Sequence, residues 1–248
     1  MPDFAADAEK SRSEKIALRG RLLTARAAMT ASDRLRAAAS VQAVVVDVVR
    51  RSSARRSPVG PPPGHGSVPR RPVVAAYAPI GSEPGGADLP EVLAEHARVL
   101  LPLLLDDGDL DWAEYDGPLR PGPRGLRQPA GPGLGLDAVR SADLVIVPAL
   151  AVDRHGLRLG RGGGSYDRVL ARIAVHGSTP SAPGTFLSGP MTVALLYDGE
   201  LVDTVPADAH DRPVRAAITP GGGLTICEQS PCTPGPARPR PVEEPEAG

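Results

Sequence analysis

The pattern of apolar and polar positions predicts two helices at the start of the chain. Residues 13–29 have helical periodicity, with lysine and arginine on the polar sides. The apolar face of this first helix consists of Ile16, Leu22, Leu23 and Ala27. Thr30 or Ser32 can cap a second helix, which begins near Asp33 and ends in a run of valines.

Short apolar segments of strand character follow, and helical segments alternate with them. The predicted strands cover residues 71–79, 97–105, 110–117, 144–152, 191–199 and 216–220. Helices are predicted at 87–97 and from Ser165 onward, and the strand at 110–117 is expected to be the more exposed one. The strand at 144–152 is apolar throughout, which is typical of a parallel sheet buried on both faces. We therefore predict an α/β fold, with a mostly parallel sheet flanked by helices.

Glycine and proline, at 28 and 29 residues, concentrate in a few segments of the chain. Such segments bury too little apolar surface to offset the entropy lost on ordering. We therefore predict a single domain at 13–220 with Pro/Gly-rich loop insertions at 52–71 and 177–190. The N-terminus at 1–12 and the tail at 221–248 are predicted to be disordered.

Composition narrows the class of protein. The 248 residues are 41% hydrophobic but only 3% aromatic, so the core must be built from valine, leucine and alanine. The net charge of −1 gives no overall attraction to nucleic acid or an acidic membrane. No apolar segment approaches the roughly 20 residues of a membrane span, and the only cysteines are Cys227 and Cys232 in the predicted tail. We expect a cytoplasmic monomer without a nucleic-acid or membrane partner.

A glycine-rich loop is the most informative stretch of the chain. Residues 155–168 read HGLRLGRGGGSYDR and lie between the buried strand and the helix that begins near Ser165. A strand, a glycine-rich loop and a helix in this order direct backbone N–H groups toward an anion. The loop lacks the lysine of a P-loop, and Ser165 occupies the third glycine position of the dinucleotide fingerprint. A flexible turn with solvated arginines is the open alternative.

The loop and three other segments resemble the 5-formyltetrahydrofolate cyclo-ligase family, also called 5,10-methenyltetrahydrofolate synthetases. The central match is VPALAVDRHGLRLGRGGGSYDRVL at 147–170. The other segments follow the family's order: KIALR at 15–19, YAPIGSE at 77–83 and VPADAHDRPV at 205–214. The resemblance implies ATP- and Mg²⁺-dependent conversion of 5-formyltetrahydrofolate to 5,10-methenyltetrahydrofolate, ADP and phosphate.

The resemblance also implies roles for individual residues. The implied ATP-binding residues are Lys15, Arg19, Arg158, Leu159, Gly160, Arg161, Gly162, Gly163, Gly164, Ser165 and Tyr166. The implied folate-binding residues are Ala78, Glu83 and Tyr166. Asp167 and Asp211 are the implied Mg²⁺ ligands, and Arg161 and Asp167 the implied catalytic residues.

Each of these residues could also have an ordinary structural role. Lys15 and Arg19 could form a solvated helix face, Glu83 and Asp211 could be turn residues, and Asp167 could favour a helix N-terminus. The chain departs from the family at Ser165, where the family has an aromatic residue, and at Val152, where it has phenylalanine. These departures keep open a second function, that of a non-catalytic nucleotide-binding relative. An RNA-binding module based on the arginine-rich segment 50–71 is disfavoured by the near-neutral charge and the lack of interleaved aromatics.

Overall fold

The computed structural model describes residues 4–55, 70–174, 189–208 and 211–228. Most of the two predicted insertions and the end of the predicted tail lie outside these ranges, so those predictions stay predictions.

Four α-helices and twelve strands make up the described fold. The helices are α1 (Phe4–Ala28), α2 (Ala31–Arg55), α3 (Leu89–Ala94) and α4 (Ser165–Ala174), with short 3₁₀-helices at Pro123–Gly125 and Leu136–Ser141. The first strands are β1 (Val73–Ala75), β2 (Arg98–Leu104), β3 (Leu110–Glu114), β4 (Arg120–Pro121), β5 (Arg127–Gln128) and β6 (Leu144–Pro148). The remaining strands are β7 (Ala151–Asp153), β8 (Arg158–Leu159), β9 (Met191–Leu195), β10 (Leu201–Val202), β11 (Ala216–Thr219) and β12 (Gly223–Ile226).

Seven of the strands form one sheet in the order β12-β11-β9-β6-β1-β2-β3. The five central strands are parallel, and the edge strands β12 and β3 are antiparallel to their neighbours. Smaller sheets consist of β10-β7-β8 and β4-β5. The prediction of a mostly parallel α/β sheet flanked by helices in a single domain is confirmed.

Helices cover both faces of the main sheet. On β6, Ile146 packs in the core cluster that contains α2 and α3. The next residue, Val147, packs on the opposite side with Val169 and Leu170 of α4. Successive side chains of a strand point to opposite faces, so a strand between two helical layers is apolar throughout, as the sequence pattern indicated.

The predicted helix starts agree with the structure in two cases. The Asp33 backbone N–H donates to Thr30 Oγ1 at 3.1 Å, so Thr30 rather than Ser32 caps α2. Helix α4 begins at Ser165, and its buried face contains Val169, Leu170 and Ile173 as predicted.

The N-terminal helix corrects two predictions. Helix α1 begins at Phe4, so the predicted disorder is wrong for residues 4–12, which contain several good helix formers and neither glycine nor proline. The predicted apolar face is also wrong, since Ile16 is 61% exposed whereas Lys15 and Arg26 are buried beside Leu22. Helix α1 packs with a partly charged face because that face lies over acidic residues and backbone carbonyls of the rest of the chain.

The strand predictions need three corrections. Residues 144–152 form two strands, because the chain leaves the main sheet after Pro148 and the Leu150 N–H bonds to the carbonyl of Leu159. Strand β3 is less exposed than predicted, because α4 and the 3₁₀-helix at Leu136–Ser141 cover the fully buried Trp112. The domain also continues past residue 220.

Strand β12 belongs to the segment that the sequence analysis assigns to the disordered tail. It pairs with β11 through a turn of glycines, in which Gly223 has φ +65°. Glycine adopts this left-handed conformation without steric cost, so the chain can reverse here. Cys227, which follows β12, is consequently buried, and burial raises the pKa of its thiol to about 11.

Candidate functional site

A cavity of about 300 Å³ opens at the carboxyl ends of the central strands. In open α/β sheets ligands bind at this edge. The cavity lining includes every residue to which the sequence analysis assigned a role in binding or catalysis. These are Lys15, Arg19, Ala78, Glu83, Arg158, Leu159, Gly160, Arg161, Gly162, Gly163, Gly164, Ser165, Tyr166, Asp167 and Asp211. Residues separated by almost two hundred positions therefore surround one space.

The glycine-rich loop forms one wall of the cavity. Gly162 and Gly164 have φ values of +100° and +71°, which residues with a side chain rarely adopt. The Arg19 side chain donates from Nε to the carbonyl of Gly160 at 2.8 Å, so helix α1 is fastened directly to the loop. The loop then enters α4 at Ser165, which places the positive end of this helix beside the cavity.

A buried ion pair lies beneath the loop. Arg158 Nη2 donates to Asp167 Oδ1 at 2.7 Å, and the two side chains are 5% and 23% exposed. Burial lowers the pKa of Arg158, although the neighbouring Asp167 opposes this shift. Within the described residues the Nε of Arg158 is buried without a hydrogen-bond partner, so the guanidinium retains donor capacity next to the cavity.

A second cluster of charges joins α1 to the segment after β10. Lys15 Nζ contacts Asp208 Oδ2 and Asp211 Oδ2, both at 2.6 Å. Burial alone would lower the pKa of Lys15, but its hydrogen bonds to the two carboxylates outweigh that effect and raise it. The Asp208 backbone N–H also donates to Asp211 Oδ2 at 2.8 Å. Lys15 and Asp211 were predicted from the sequence, whereas Asp208, three positions before Asp211, was missed.

Glu83 lies on another part of the cavity wall, after strand β1. Its Oε2 accepts from the Ile80 N–H at 3.0 Å, and its Oε1 lies 3.4 Å from Arg161 Nε. The carboxylate is 10% exposed. Burial raises the pKa of Glu83, and the Ile80 N–H and Arg161 oppose that shift. Glu83 therefore presents a largely desolvated acceptor to the cavity.

Tyr166 contributes an unpartnered hydroxyl to the same space. Its oxygen is buried, and no described residue forms a hydrogen bond with it. Burial also raises the pKa of Tyr166, so the phenol stays protonated and can donate. A buried hydroxyl without a partner is uncommon, and here it lines a cavity that a ligand can enter.

Ser165 connects the loop to a neighbouring turn. Its hydroxyl donates to the carbonyl of Gly108 at 2.6 Å, in the turn between β2 and β3. Arg172 of α4 contacts Asp109 in that turn at 2.8 Å. The serine thus supplies a hydrogen bond that positions the loop against the β2–β3 turn.

Arg26 and Glu200 form a buried pair that the sequence analysis missed. Arg26 lines the cavity, and its Nε and Nη2 contact the two carboxylate oxygens of Glu200 at 2.6 and 2.8 Å. Arg26 also donates to the carbonyl of Ala149 at 2.7 Å. Lys15, Arg19 and Arg26 are spaced so that all three lie on one helix face. This common face was the sequence signal that could have identified Arg26.

The acidic residues of the site suit a shared magnesium ion better than a protein-only metal site. No group of three or more His, Cys, Asp or Glu side chains within the described ranges could hold a metal ion. Asp167 and Asp211 supply hard oxygen ligands, but each also forms an ion pair with a cationic side chain. Magnesium is commonly held by one or two carboxylates together with water and substrate phosphates. The donor set fits this arrangement.

None of the described helices is long and apolar enough to cross a membrane. This finding concerns helices α1 to α4 only.

Comparisons with known proteins agree on one family. Residues 65–220 match the model of the 5-formyltetrahydrofolate cyclo-ligase family. A 5-formyltetrahydrofolate cyclo-ligase of Mycolicibacterium smegmatis is 41% identical over 158 residues, which cover 61% of this chain and 75% of the relative. A mitochondrial 5-formyltetrahydrofolate cyclo-ligase of Arabidopsis thaliana is 37% identical over 93 residues, or 37% of this chain and 32% of the relative.

Two solved structures share the fold. Aquifex aeolicus 5,10-methenyltetrahydrofolate synthetase superimposes with a TM-score of 0.65 at 21% identity, over 88% of this chain and 95% of that protein. The synthetase from Mycoplasma pneumoniae gives a TM-score of 0.56 at 17% identity, over 82% and 97%. Because the family model covers more than half of the chain, the chain belongs to the 5-formyltetrahydrofolate cyclo-ligase family.

Proposed function

We propose that the protein catalyses the ATP- and Mg²⁺-dependent conversion of 5-formyltetrahydrofolate to 5,10-methenyltetrahydrofolate, ADP and phosphate. The observation that carries this proposal is that one cavity is lined by the glycine-rich loop, by cationic side chains of that loop and of helix α1, and by a buried carboxylate. The two substrates must meet in one space for the terminal phosphate of ATP to reach the formyl oxygen.

The cationic part of the lining is suited to the triphosphate. Lys15 and Arg19 extend from α1, and Arg158 and Arg161 belong to the glycine-rich loop and the strand before it. All four are held in place by carboxylates or a carbonyl, so they are oriented before a ligand arrives. Guanidinium groups bind phosphate oxygens in a forked geometry, and such charge-assisted bonds are among the strongest available.

The part of the lining near β1 is suited to the reduced pterin. Glu83 offers a desolvated carboxylate that can accept hydrogen bonds from the ring N–H groups. The Tyr166 hydroxyl, buried and unpartnered among the described residues, can donate to a ring or formyl oxygen. Tyr77 is held by its own hydrogen bond to the Pro84 carbonyl at 2.9 Å, and this contact fixes the wall beside Ala78.

In the proposed reaction the formyl oxygen takes the terminal phosphoryl group of ATP, and ADP is the leaving group. N10 then attacks the activated formyl carbon and loses its proton, and the C–O bond breaks to release phosphate. The chain mainly positions the reactants and neutralises charge as the phosphoryl group moves. Arg161, which is half-exposed and paired with Glu83 at 3.4 Å, is the cation we assign to that neutralisation. Asp167 and Asp211 would hold Mg²⁺, whose charge would offset the negative charge of the triphosphate.

A spectrophotometric assay tests this proposal. The purified chain is mixed with 5-formyltetrahydrofolate, ATP and magnesium, and the near-ultraviolet absorbance of the methenyl product is followed. We expect the band to grow only with ATP and to be abolished by EDTA. If ATP binds but no band grows, the chain is a non-catalytic nucleotide-binding relative and the proposed function is wrong.

A further inference from the structure

Two arginines on the rim of the cavity differ from the cations already described. Arg124 and Arg127 lie in and beside the β4–β5 hairpin, and both line the cavity. Both are exposed. Within the described part of the chain neither forms an ion pair or a side-chain hydrogen bond, whereas Arg158 and Arg161 on the glycine-rich loop side are both paired. The hairpin therefore presents positive charge without a resident counter-ion.

The hairpin and the Arg26 side chain of helix α1 lie near different strands of the main sheet. The main sheet runs in the order β6-β1-β2, and β5 packs against β2. Arg26 of α1 bonds to the Ala149 carbonyl next to β6, Glu83 follows β1, and the hairpin lies near β2. In the order of the strands, the Arg26 contact and the hairpin therefore lie on opposite sides of Glu83.

An apolar surface lies on the β2–β3 side of the same cavity. It is formed by Pro102, Leu104, Leu110 and Leu126, all of which line the cavity. Gly125 and Leu126 separate Arg124 from Arg127 in sequence. Such an arrangement suits a ligand whose flat apolar middle part ends in carboxylates.

The backbone of the hairpin is also unusual. Arg124 has φ 56° and ψ 27°, and it alone among the described non-glycine residues has a positive φ. Gly125 follows with φ +75°. This conformation is disfavoured for a bulky residue. Residues that are nevertheless held in it cluster at functional sites.

We infer that Arg124 and Arg127 bind the glutamate carboxylates of the reduced folate, while the aminobenzoyl ring lies on the apolar surface formed by Pro102, Leu104, Leu110 and Leu126. This inference rests on the proposed function, because it takes the folate as the ligand of the cavity. The two arginines determine affinity for the tail of the substrate and leave the reacting atoms untouched. Substrates with additional γ-linked glutamates carry more carboxylates and bind this rim more tightly.

The test compares Arg124→Gln, Arg127→Gln and the double variant with Arg120→Gln. Arg120 is an exposed arginine of the same hairpin that does not line the cavity, so it is the matched control. KM and kcat are measured with 5-formyltetrahydrofolate and with the carboxamide of 5-formyltetrahydropteroate, in which a neutral amide replaces the glutamate and no carboxylate remains. An exposed arginine–carboxylate contact contributes up to about fivefold in affinity. We expect each cavity variant to raise KM for the intact substrate by up to about fivefold, with kcat and the KM for ATP unchanged.

The substrate without glutamate supplies the decisive comparison. Its KM should be the same for wild type and all variants, and Arg120→Gln should match wild type with both substrates. An equal rise with both substrates, an unchanged KM with the intact substrate, or the same rise in Arg120→Gln would overturn the inference.

Equilibrium binding separates this inference from the proposed function. Calorimetric titration of the full chain with 5-formyltetrahydrofolate carrying three glutamates is repeated for the double variant. If wild type has no turnover but its affinity falls in the double variant, the carboxylate site stands and the proposed reaction is wrong. Normal turnover with equal affinity in both proteins would overturn the carboxylate site alone, and no binding by wild type would overturn both.

Discussion

Neutralising Glu200 should destabilise the protein strongly, because its partner Arg26 would remain charged and buried. The two side chains are 2% and 6% exposed, and their two short contacts form a bidentate pair. Removing one member of a buried pair costs about 3–5 kcal/mol. In Glu200→Gln, Arg26 keeps the Ala149 carbonyl, so we expect a loss of about 3 kcal/mol, near the lower limit. For a domain of this size the melting temperature should fall by roughly 6–12 °C.

Urea denaturation followed by tryptophan fluorescence measures this loss. Trp112 is the only tryptophan of the chain and is fully buried, so its emission reports on unfolding. Glu114→Gln is the control, because it breaks a half-exposed pair with Arg98 at 2.8 Å and should cost less than about 1 kcal/mol. A loss below about 1 kcal/mol in Glu200→Gln would refute the reasoning.

A double-mutant cycle identifies the source of the loss. Arg26→Met alone leaves the Glu200 carboxylate buried with the Tyr197 N–H at 2.7 Å as its remaining described partner. Glu200→Leu alone is the second single variant of the cycle. The double variant Arg26→Met/Glu200→Leu removes both charges, and apolar replacement of a buried pair is often neutral. The double variant should therefore be more stable than the sum of the single losses predicts. Strict additivity would show that the two side chains do not act as a pair.

Four further results are expected. Asp167→Asn should reduce turnover at limiting magnesium much more than it reduces the free energy of unfolding, and an unchanged rate there would exclude the metal role. Arg161→Ala should raise KM for ATP by about tenfold or more and affect KM for folate less; equal effects would contradict its assignment to phosphate. Burial raises the pKa of Glu83 above its ordinary 4.5, so the stability that its proton contributes is lost as pH rises from 4.5 through the folded-state pKa. Glu83→Gln should abolish this pH-dependent component of the free energy of unfolding, measured by denaturation from pH 4 to 7. Identical pH profiles for wild type and variant would contradict this expectation. Ser165→Ala should lower the free energy of unfolding in urea by about 1 kcal/mol, because the hydrogen bond to Gly108 is lost. Ser165→Thr should retain most of this free energy, and full stability of the alanine variant would contradict the positioning role.

Much of the sheet could be predicted because burial on both faces leaves a strong signal. The run from Leu144 to Pro148 is buried except for a partly exposed Pro148, and a short continuous apolar segment is typical of a strand that is covered on both sides. Helix α4 was equally clear, because Val169, Leu170 and Ile173 fall on one face directly after the glycine-rich loop. In both cases the arrangement of apolar residues in the sequence matches the surfaces that are buried in the fold.

The N-terminal helix could not be predicted in the same way. Its buried face contains Lys15 and Arg26, whose burial depends on carboxylates nearly two hundred residues away in sequence. Apolar periodicity therefore selected the wrong face, on which Ile16 is exposed. Long-range ion pairs leave no local pattern, and only the common spacing of the basic residues indicated them.

The candidate site was predicted mainly from the family resemblance rather than from physical chemistry. Asp167 in isolation is equally well suited to stabilising a helix N-terminus, and the structure adds its buried pair with Arg158. Asp208 was missed because an acidic residue in a loop is unremarkable until Lys15 is found beside it. Arg124 and Arg127 were missed because exposed arginines in a proline- and glycine-rich segment carry no sequence signal of their own.

In the proposed reaction the cavity brings the formyl oxygen of the folate to the terminal phosphate of ATP. Isotope transfer tests it most directly, with 5-formyltetrahydrofolate labelled with ¹⁸O in the formyl group and mass spectrometry of the released phosphate. We expect one ¹⁸O atom in the phosphate for each methenyl product formed. Unlabelled phosphate, with the label recovered in water, would contradict it, because N10 would then have closed on a carbonyl that was never phosphorylated.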